Sequence, residues 1–231
     1  MVTKGLMAQT AGVTARLTAI AVSLALISCA RDACAQTPSG STPQATAVQS
    51  QPPAWSVGIS AATYVLPDEE NYVQPTVTAD RDALHLEARY NYEDRHSVSG
   101  FVGWTFEKGT NVQLELTPMI GGVVGDSDGI VPALELTLSF RRLEFYSEGE
   151  YVIGVNGTSS FLYNWSELSI HATDWLRAGM VTQRTRTFGT PRDIQRGILA
   201  GVSVGKVEGT FYLFNPGSDD HYAVATVGLS F

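Results

Sequence analysis

Two short runs concentrate the residue types that do chemistry. Glu144, Tyr146, Glu148 and Glu150 fall on alternate positions, and so do Glu167, Ser169 and His171. Carboxylates suit hard cations, so the first run has the ligand type of a cation site. The second has the types of an acyl-transfer set, a serine activated by a histidine that a carboxylate orients. In an extended chain, residues two apart lie roughly 6.5 Å from each other on one face. The glutamates then share an ion only if neighbouring strands add ligands, and Ser169 stays beyond hydrogen-bond reach of His171. A solvated wall is the plainer reading of both runs. Walker, dinucleotide-binding, zinc-protease and Cys-x-x-Cys patterns are absent, so no cofactor is implied and no enzyme is expected.

A third group is basic. Arg184, Arg186, Arg192 and Arg196 gather around one expected external loop together with Thr185, Thr187 and Thr190. Guanidinium groups match phosphate bidentately, so this group is a candidate contact for lipopolysaccharide phosphates or for an anionic solute. A solvated loop is the plainer reading here as well.

The elements that hold these residues are strands. From Trp55 onward apolar and polar residues alternate in stretches of about ten, separated by turn-forming residues. Leu84, Leu86, Ala88, Tyr90 and Tyr92 share one face of such a stretch, and His85, Glu87, Arg89, Asn91 and Glu93 the other. Val112, Leu114 and Leu116 oppose Gln113, Glu115 and Thr117, and Leu134, Leu136, Leu138 and Phe140 oppose Glu135, Thr137 and Ser139. The pattern predicts strands near 55–65, 72–79, 83–93, 97–107, 111–120, 130–140, 142–153, 160–172, 175–185, 195–205, 207–214 and 221–231. That makes about twelve, with ten as the lower count. In one stretch Phe161, Tyr163 and Trp165 share a parity with Glu167, whereas Leu168 and Ile170 take the other. A bulge near Ser166, or aromatics standing above the membrane, would account for the switch.

A soluble sandwich also alternates, so which face is buried must come from other signals. The connections alternate in length. Asp80 to Asp82, Lys108 to Thr110, Arg141-Arg142, Thr173-Asp174 and Lys206 are tight, while Pro67 to Asn71, Asp94 to His96, Gly121 to Gly129, Gly154 to Ser159, Arg186 to Ile194 and Asn215 to Asp220 are longer. Short periplasmic turns and longer external loops have this form, and the phase places both termini in the periplasm. Trp104, Phe106, Phe140, Phe145 and Trp175 fall at the short-turn ends of strands, and Tyr64, Tyr90, Tyr92 and Tyr151 at the long-loop ends, where amphipathic rings suit a membrane interface. The apolar faces are nearly free of charge, as expected where a charge at mid-bilayer costs about 2–4 kcal/mol.

Before this region, Lys4 and Arg16 precede an uncharged apolar run from Leu17 to Ser28. This has the make-up of a secretory signal peptide over 1–35 and is too short for a helix that spans a bilayer, which takes roughly 20 residues. Cleavage after Ala35 removes both Cys29 and Cys34; the rival reading, a lipobox ending at Cys29, leaves a lipid-bearing cysteine. Residues 36–54 are rich in Gln, Thr, Ser, Pro, Gly and Ala and predict a disordered periplasmic linker. The formal charge of −8 becomes about −10 once Lys4, Arg16, Arg31 and Asp32 are removed, which argues against a nucleic-acid partner.

The final stretch sets Ala223, Ala225, Val227, Leu229 and Phe231 on one face. It resembles the terminal strand of bacterial outer-membrane β-barrel proteins, a porin-like class, and the resemblance covers roughly residues 55–231. It implies a Gram-negative outer-membrane location, contact with membrane lipid and lipopolysaccharide, and recognition of Ala225, Val227, Leu229 and Phe231 by the barrel-assembly machinery. No subfamily is singled out.

The expected fold is therefore an all-β, antiparallel, up-and-down transmembrane barrel. Its lumen would be lined by His85, Glu87 and Arg89, by Gln113, Glu115 and Glu135, by Glu144, Tyr146, Glu148 and Glu150, and by Glu208 and Tyr212. An acidic lumen favours cations. The same carboxylates, paired with Arg89, Arg177 and the histidines, would instead plug a narrow barrel. The functional expectation is a small porin-like channel for small polar or cationic solutes, or a passive envelope barrel. The alternatives are a surface binding or adhesion barrel with a closed lumen, a lipid-modifying outer-membrane enzyme, and a soluble periplasmic all-β protein.

Overall fold

The computed structural model describes residues 54–67, 69–187 and 193–231. The expected signal peptide over 1–35, all but the last residue of the linker over 36–54, and Arg192 lie outside the described residues.

The strands, in chain order, are β1 (Ser56–Val65), β2 (Tyr72–Arg81), β3 (Leu84–Tyr90), β4 (Val98–Trp104), β5 (Phe106–Lys108), β6 (Val112–Val124) and β7 (Gly129–Phe140). They continue with β8 (Leu143–Gly154), β9 (Phe161–His171), β10 (Leu176–Thr187), β11 (Asp193–Val204), β12 (Val207–Phe214) and β13 (Tyr222–Ser230). β4 and β5 are two parts of one stave, because both pair with β6 in a single register, Gly103 with Met119 and Phe106 with Leu116. Trp104 falls opposite Pro118, which has no N–H to donate, and the ladder is interrupted there. Every neighbouring pair is antiparallel. β1 also pairs with β13, so the twelve staves close into a barrel without an edge strand.

Burial along these strands is the reverse of that in a soluble domain. In β3, His85, Glu87 and Arg89 are buried while Leu86 and Tyr90 are exposed. Arg89 is 2% exposed and Trp104 is 53% exposed. Ile59, Val77, Val102, Ile120, Ile130, Leu134, Leu168, Ile170, Met180, Ile198, Val202, Phe211 and Val227 all stand on the outside. Water does not tolerate an apolar exterior of this extent, whereas lipid covers it. Trp55, Trp104, Phe106, Phe140, Trp175 and Phe231 form the aromatic belt at the short-turn end.

Several expected details change. Gly121 and Gly122 are not in a loop, since β6 runs to Val124 and β7 begins at Gly129, which shortens the connection to 125–128. Gly121 is needed within the strand: a Cβ there would collide with the Phe101 ring and lie 2.6 Å from the Gly100 carbonyl oxygen. Tyr64 does not sit on the outer rim but is buried inside the barrel, stacked on Tyr72 with ring centroids 4.7 Å apart. Tyr92 leaves the apolar face because β3 ends at Tyr90 and Asn91 takes a positive φ of 58°, which turns the next ring into the lumen.

β9 contains no bulge, and its register to β8 and β10 is unbroken. Phe161, Tyr163 and Trp165 simply point inward with Glu167, while Leu168 and Ile170 point outward. The interior is therefore not polar throughout. Toward the long-loop end, Tyr64, Val181, Leu199, Tyr212, Phe214 and Val224 form one apolar cluster, and Phe101, Met119, Val123, Val131, Ala133 and Val152 form another.

Candidate functional site in the lumen

Below the apolar clusters the lumen is a layer of charge. On the β3 side, Arg89 donates through Nε and Nη2 to the two oxygens of Glu87, at 2.7 and 3.0 Å, a bidentate pairing. Its Nη1 reaches over to β8, 2.7 Å from Glu148 Oε1 and 3.2 Å from Glu150 Oε2, and Glu135 Oε1 lies 4.0 Å from Nη2. The guanidinium carbon also lies 4.2 Å from the ring centre of Tyr92 and 4.6 Å from that of Phe101. Tyr92 OH donates to Glu148 at 2.8 Å, and Tyr146 OH lies within 3.4 Å of both Glu135 and Glu148. His85 extends the chain of contacts, with Nδ1 2.6 Å from Asp80 and Nε2 3.5 Å from Glu87.

A second cluster stands on β9, β10 and β12. Glu167 accepts from Arg177 at 2.8 Å, from the Trp165 indole at 2.9 Å and from Tyr212 OH at 2.8 Å. Arg177 also donates to Thr210 at 3.0 Å and lies 3.2 Å from Glu208. Trp165 packs edge to face on both Tyr212 and Phe214.

Between the clusters lies a cavity of about 420 Å³. Its wall carries Glu87, Glu135 and Glu148 from one side and Glu167, Arg177 and Glu208 from the other, with Ser60, Thr76, Thr78 and Thr226 between them. Ser60, Thr76, Thr78, Glu208 and Gly228 also line a vestibule of about 520 Å³ at the short-turn end, so the two spaces adjoin. Gln113 and Glu115 line a separate recess at the same end, near Glu107 and Lys108.

The long-loop end is tied down by the segment 91–97. Asn91 Nδ2 donates to the Val73 carbonyl, Ser127 Oγ to Asp94, and Arg95 to Glu69 and the Glu70 carbonyl. Inside this segment both Glu93 carboxylate oxygens are buried without a hydrogen-bond partner among the described residues, and burial pushes the Glu93 carboxyl above its ordinary range.

The twelve residues read as lumen-lining from alternation all fall on inward positions. They do not form one site: the β3 residues, Glu135 of β7, and Tyr146, Glu148 and Glu150 of β8 join the Arg89 cluster, Glu208 and Tyr212 the Arg177 cluster, and Gln113, Glu115 and Glu144 the short-turn mouth. Phe101, Tyr92, Trp165, Glu167 and Arg177 complete the clusters without having been included in that lining. The parity of β9 held the signal for Trp165 and Glu167. Nothing in the alternation marks Tyr92, because a single positive φ reverses its direction.

The serine and histidine of the acyl-transfer reading are not brought together. Ser169 is buried, His171 lies 3.5 Å from Glu144 at the short-turn end, and Glu167 is occupied by its three donors. A Gly-x-Ser-x-Gly spelling from Gly201 to Gly205 lies on β11 and its turn into β12, not on a strand-to-helix elbow. Among the described residues no group of three His, Cys, Asp or Glu side chains is placed to hold a metal ion. Of the basic residues, Arg184 lies on β10 and Arg196 on β11, inside the strands expected at 175–185 and 195–205, while Arg186, expected at the start of the loop, is on β10 as well.

No protein-family model and no curated protein sequence matches the chain. Solved structures do. The KdgM porin aligns with a TM-score of 0.51 at 9% identity, over 76% of this chain and 98% of that one. The KdgM porin in complex with disordered oligogalacturonate gives 0.52 at 8%, over 75% and 98%, and the NanC porin gives 0.53 at 7%, over 76% and 98%. At such identities the likeness is one of fold. The chain has the fold of the small bacterial outer-membrane porins, a closed twelve-stave barrel.

Proposed function

We propose that the barrel is a narrow outer-membrane channel that prefers cations and passes small polar or cationic solutes. The observation that carries this reading is the sign of the cavity wall, where five carboxylates, Glu87, Glu135, Glu148, Glu167 and Glu208, outnumber two guanidinium groups, that of Arg177 in the wall and that of Arg89 paired with Glu87 and Glu148 behind it. Fixed negative charge in a low-dielectric passage concentrates cations and excludes anions. An oligogalacturonate, the ligand named for the KdgM complex, carries carboxylates of its own and would be repelled by such a wall. The apolar outer stripe Ala225, Val227, Leu229 and Phe231 is the surface that we assign to the barrel-assembly machinery.

Planar-bilayer recording of the purified full chain under an asymmetric KCl gradient tests the channel. A reversal potential of the cation-selective sign is expected. An anion-selective sign would overturn the selectivity, and a silent bilayer at every protein load would overturn the channel. The second outcome would favour a closed barrel acting through its loops, a reading supported by the Arg89 cluster and the Phe101 and Met119 packing that fill the β3-to-β8 half of the lumen.

A further inference from the structure

Toward the long-loop end, the outer wall of the barrel carries a basic patch. On β10 and β11 the outward parity is that of Met180 and Ile198, both exposed, and Thr182, Arg184, Arg186 and Arg196 share it. Thr182 pairs across with Arg196, and on the other side Thr182 and Arg184 pair with Ser166 and Asn164 of β9. Ser147, Asn164 and Ser166 satisfy one another, Ser147 Oγ lying 2.9 Å from Ser166 Oγ and Asn164 Nδ2 donating to Ser147 Oγ at 3.1 Å. The arginines are not satisfied in this way. None of the three forms an ion pair among the described residues, and the Arg184 Nε is buried with no hydrogen-bond partner there.

Height on the wall is informative. Along β6 the outward positions stay apolar or glycine from Val112 to Val124. Along β10 they are Leu176, Ala178 and Met180, and then Thr182, Arg184 and Arg186. Arg184 stands four residues beyond Met180, roughly 13 Å along the strand toward the long-loop end. The apolar band therefore stops early on this side, and the guanidinium groups sit at the level of headgroups.

Charge decides between occupants. Among the described residues no outward-facing strand position carries Asp or Glu. A second copy of this wall has no anion to offer the patch. We propose that the patch binds the phosphate groups of a phosphorylated glycolipid of the outer leaflet. Arg184 and Arg196 grip phosphate oxygens, and Met180 and Ile198 lie against the acyl chains.

The test is native mass spectrometry of the purified full chain in detergent with diphosphorylated lipid A, with the same lipid stripped of its phosphates, and with inorganic phosphate. The folded barrel is expected to retain the diphosphorylated lipid, to release the dephosphorylated one, and to be unaffected by inorganic phosphate. The Arg184→Gln, Arg196→Gln pair should weaken retention about tenfold or more, the scale of losing charge-assisted hydrogen bonds, and the corresponding Arg→Lys pair should keep most of it. The heat-dependent gel shift checks that each variant is folded, and the exposed single change Arg196→Gln serves if the pair is not. Equal retention by the glutamine variant, or equal retention of the dephosphorylated lipid, would overturn the proposal. So would displacement by inorganic phosphate at matched concentration, which marks a free-anion site, or a dimer of the chain that the substitutions dissolve.

Discussion

The guanidinium of Arg89 on β3 lies 2.7 Å from the carboxylate of Glu148 on β8, joining staves that are not neighbours in the sheet. The side chains of both are almost wholly buried. A contact between separated staves fixes the cross-section of the barrel as well as the charge of its lumen.

Arg89→Gln leaves Glu87, Glu148 and Glu150 without their cation. Loss of one partner from a buried ion pair costs about 3–5 kcal/mol. The denaturant midpoint of the variant refolded into lipid vesicles should fall accordingly, and adding Glu148→Gln should recover part of the loss. An unchanged midpoint would mean that water already screens the cluster.

Glu208 is about half exposed on the cavity wall, and its contact with Arg177 contributes little to stability. Glu208→Gln should leave folding intact and reduce the cation preference of the reversal potential, and Glu208→Lys should reduce it further. A reversal potential that ignores both changes would place the ion path away from this wall.

A side chain at Gly121 has no room beside Phe101. Gly121→Val should destabilise the barrel by about 1–3 kcal/mol through overpacking. Gly100→Ala is expected to be tolerated, since its Cβ meets only the Glu87 carbonyl oxygen, 3.8 Å away. Equal thermal midpoints for the two variants would show that the Phe101 ring moves freely.

Glu93 sets a pH dependence. Burial raises its carboxyl in the folded state above the ordinary carboxylate range, so the folded chain binds the proton more tightly than the unfolded one. Its contribution to stability is complete below the unfolded value and declines as pH rises through the folded one. Glu93→Gln should flatten this decline in a melting series from acid to neutral pH. A variant with the same slope as the parent would assign the dependence to other groups.

The staves were legible in the sequence because alternation is strict wherever one face meets lipid. Ile120, Leu134 and Val227 stand outside for the same reason that Thr117, Glu135 and Thr226 do not. The interior was less legible. Inward positions need only fit each other, so Phe101, Met119 and Val181 sit inside although their types read as lipid-facing, and Gly121 inside β6 reads as a loop. The partners of Arg89 were beyond reach for another reason. Which carboxylate meets which guanidinium depends on the curvature that brings β3 toward β8, and no spacing along the chain encodes that. Arg184 and Arg196 already fell within strands flanking the loop, and strand parity adds that both face outward.

The seam between β1 and β13 pairs Gly58 with Ser230, while every other pairing joins staves adjacent along the chain. The hairpins can form locally and early, but the seam closes a loop that contains nearly the whole barrel, at the largest entropic cost of any step. Maturation should therefore have one slow event, and β13 sets its clock. Until β13 docks, the molecule is an open arc that cannot hold a gradient and is vulnerable to proteases and to other arcs.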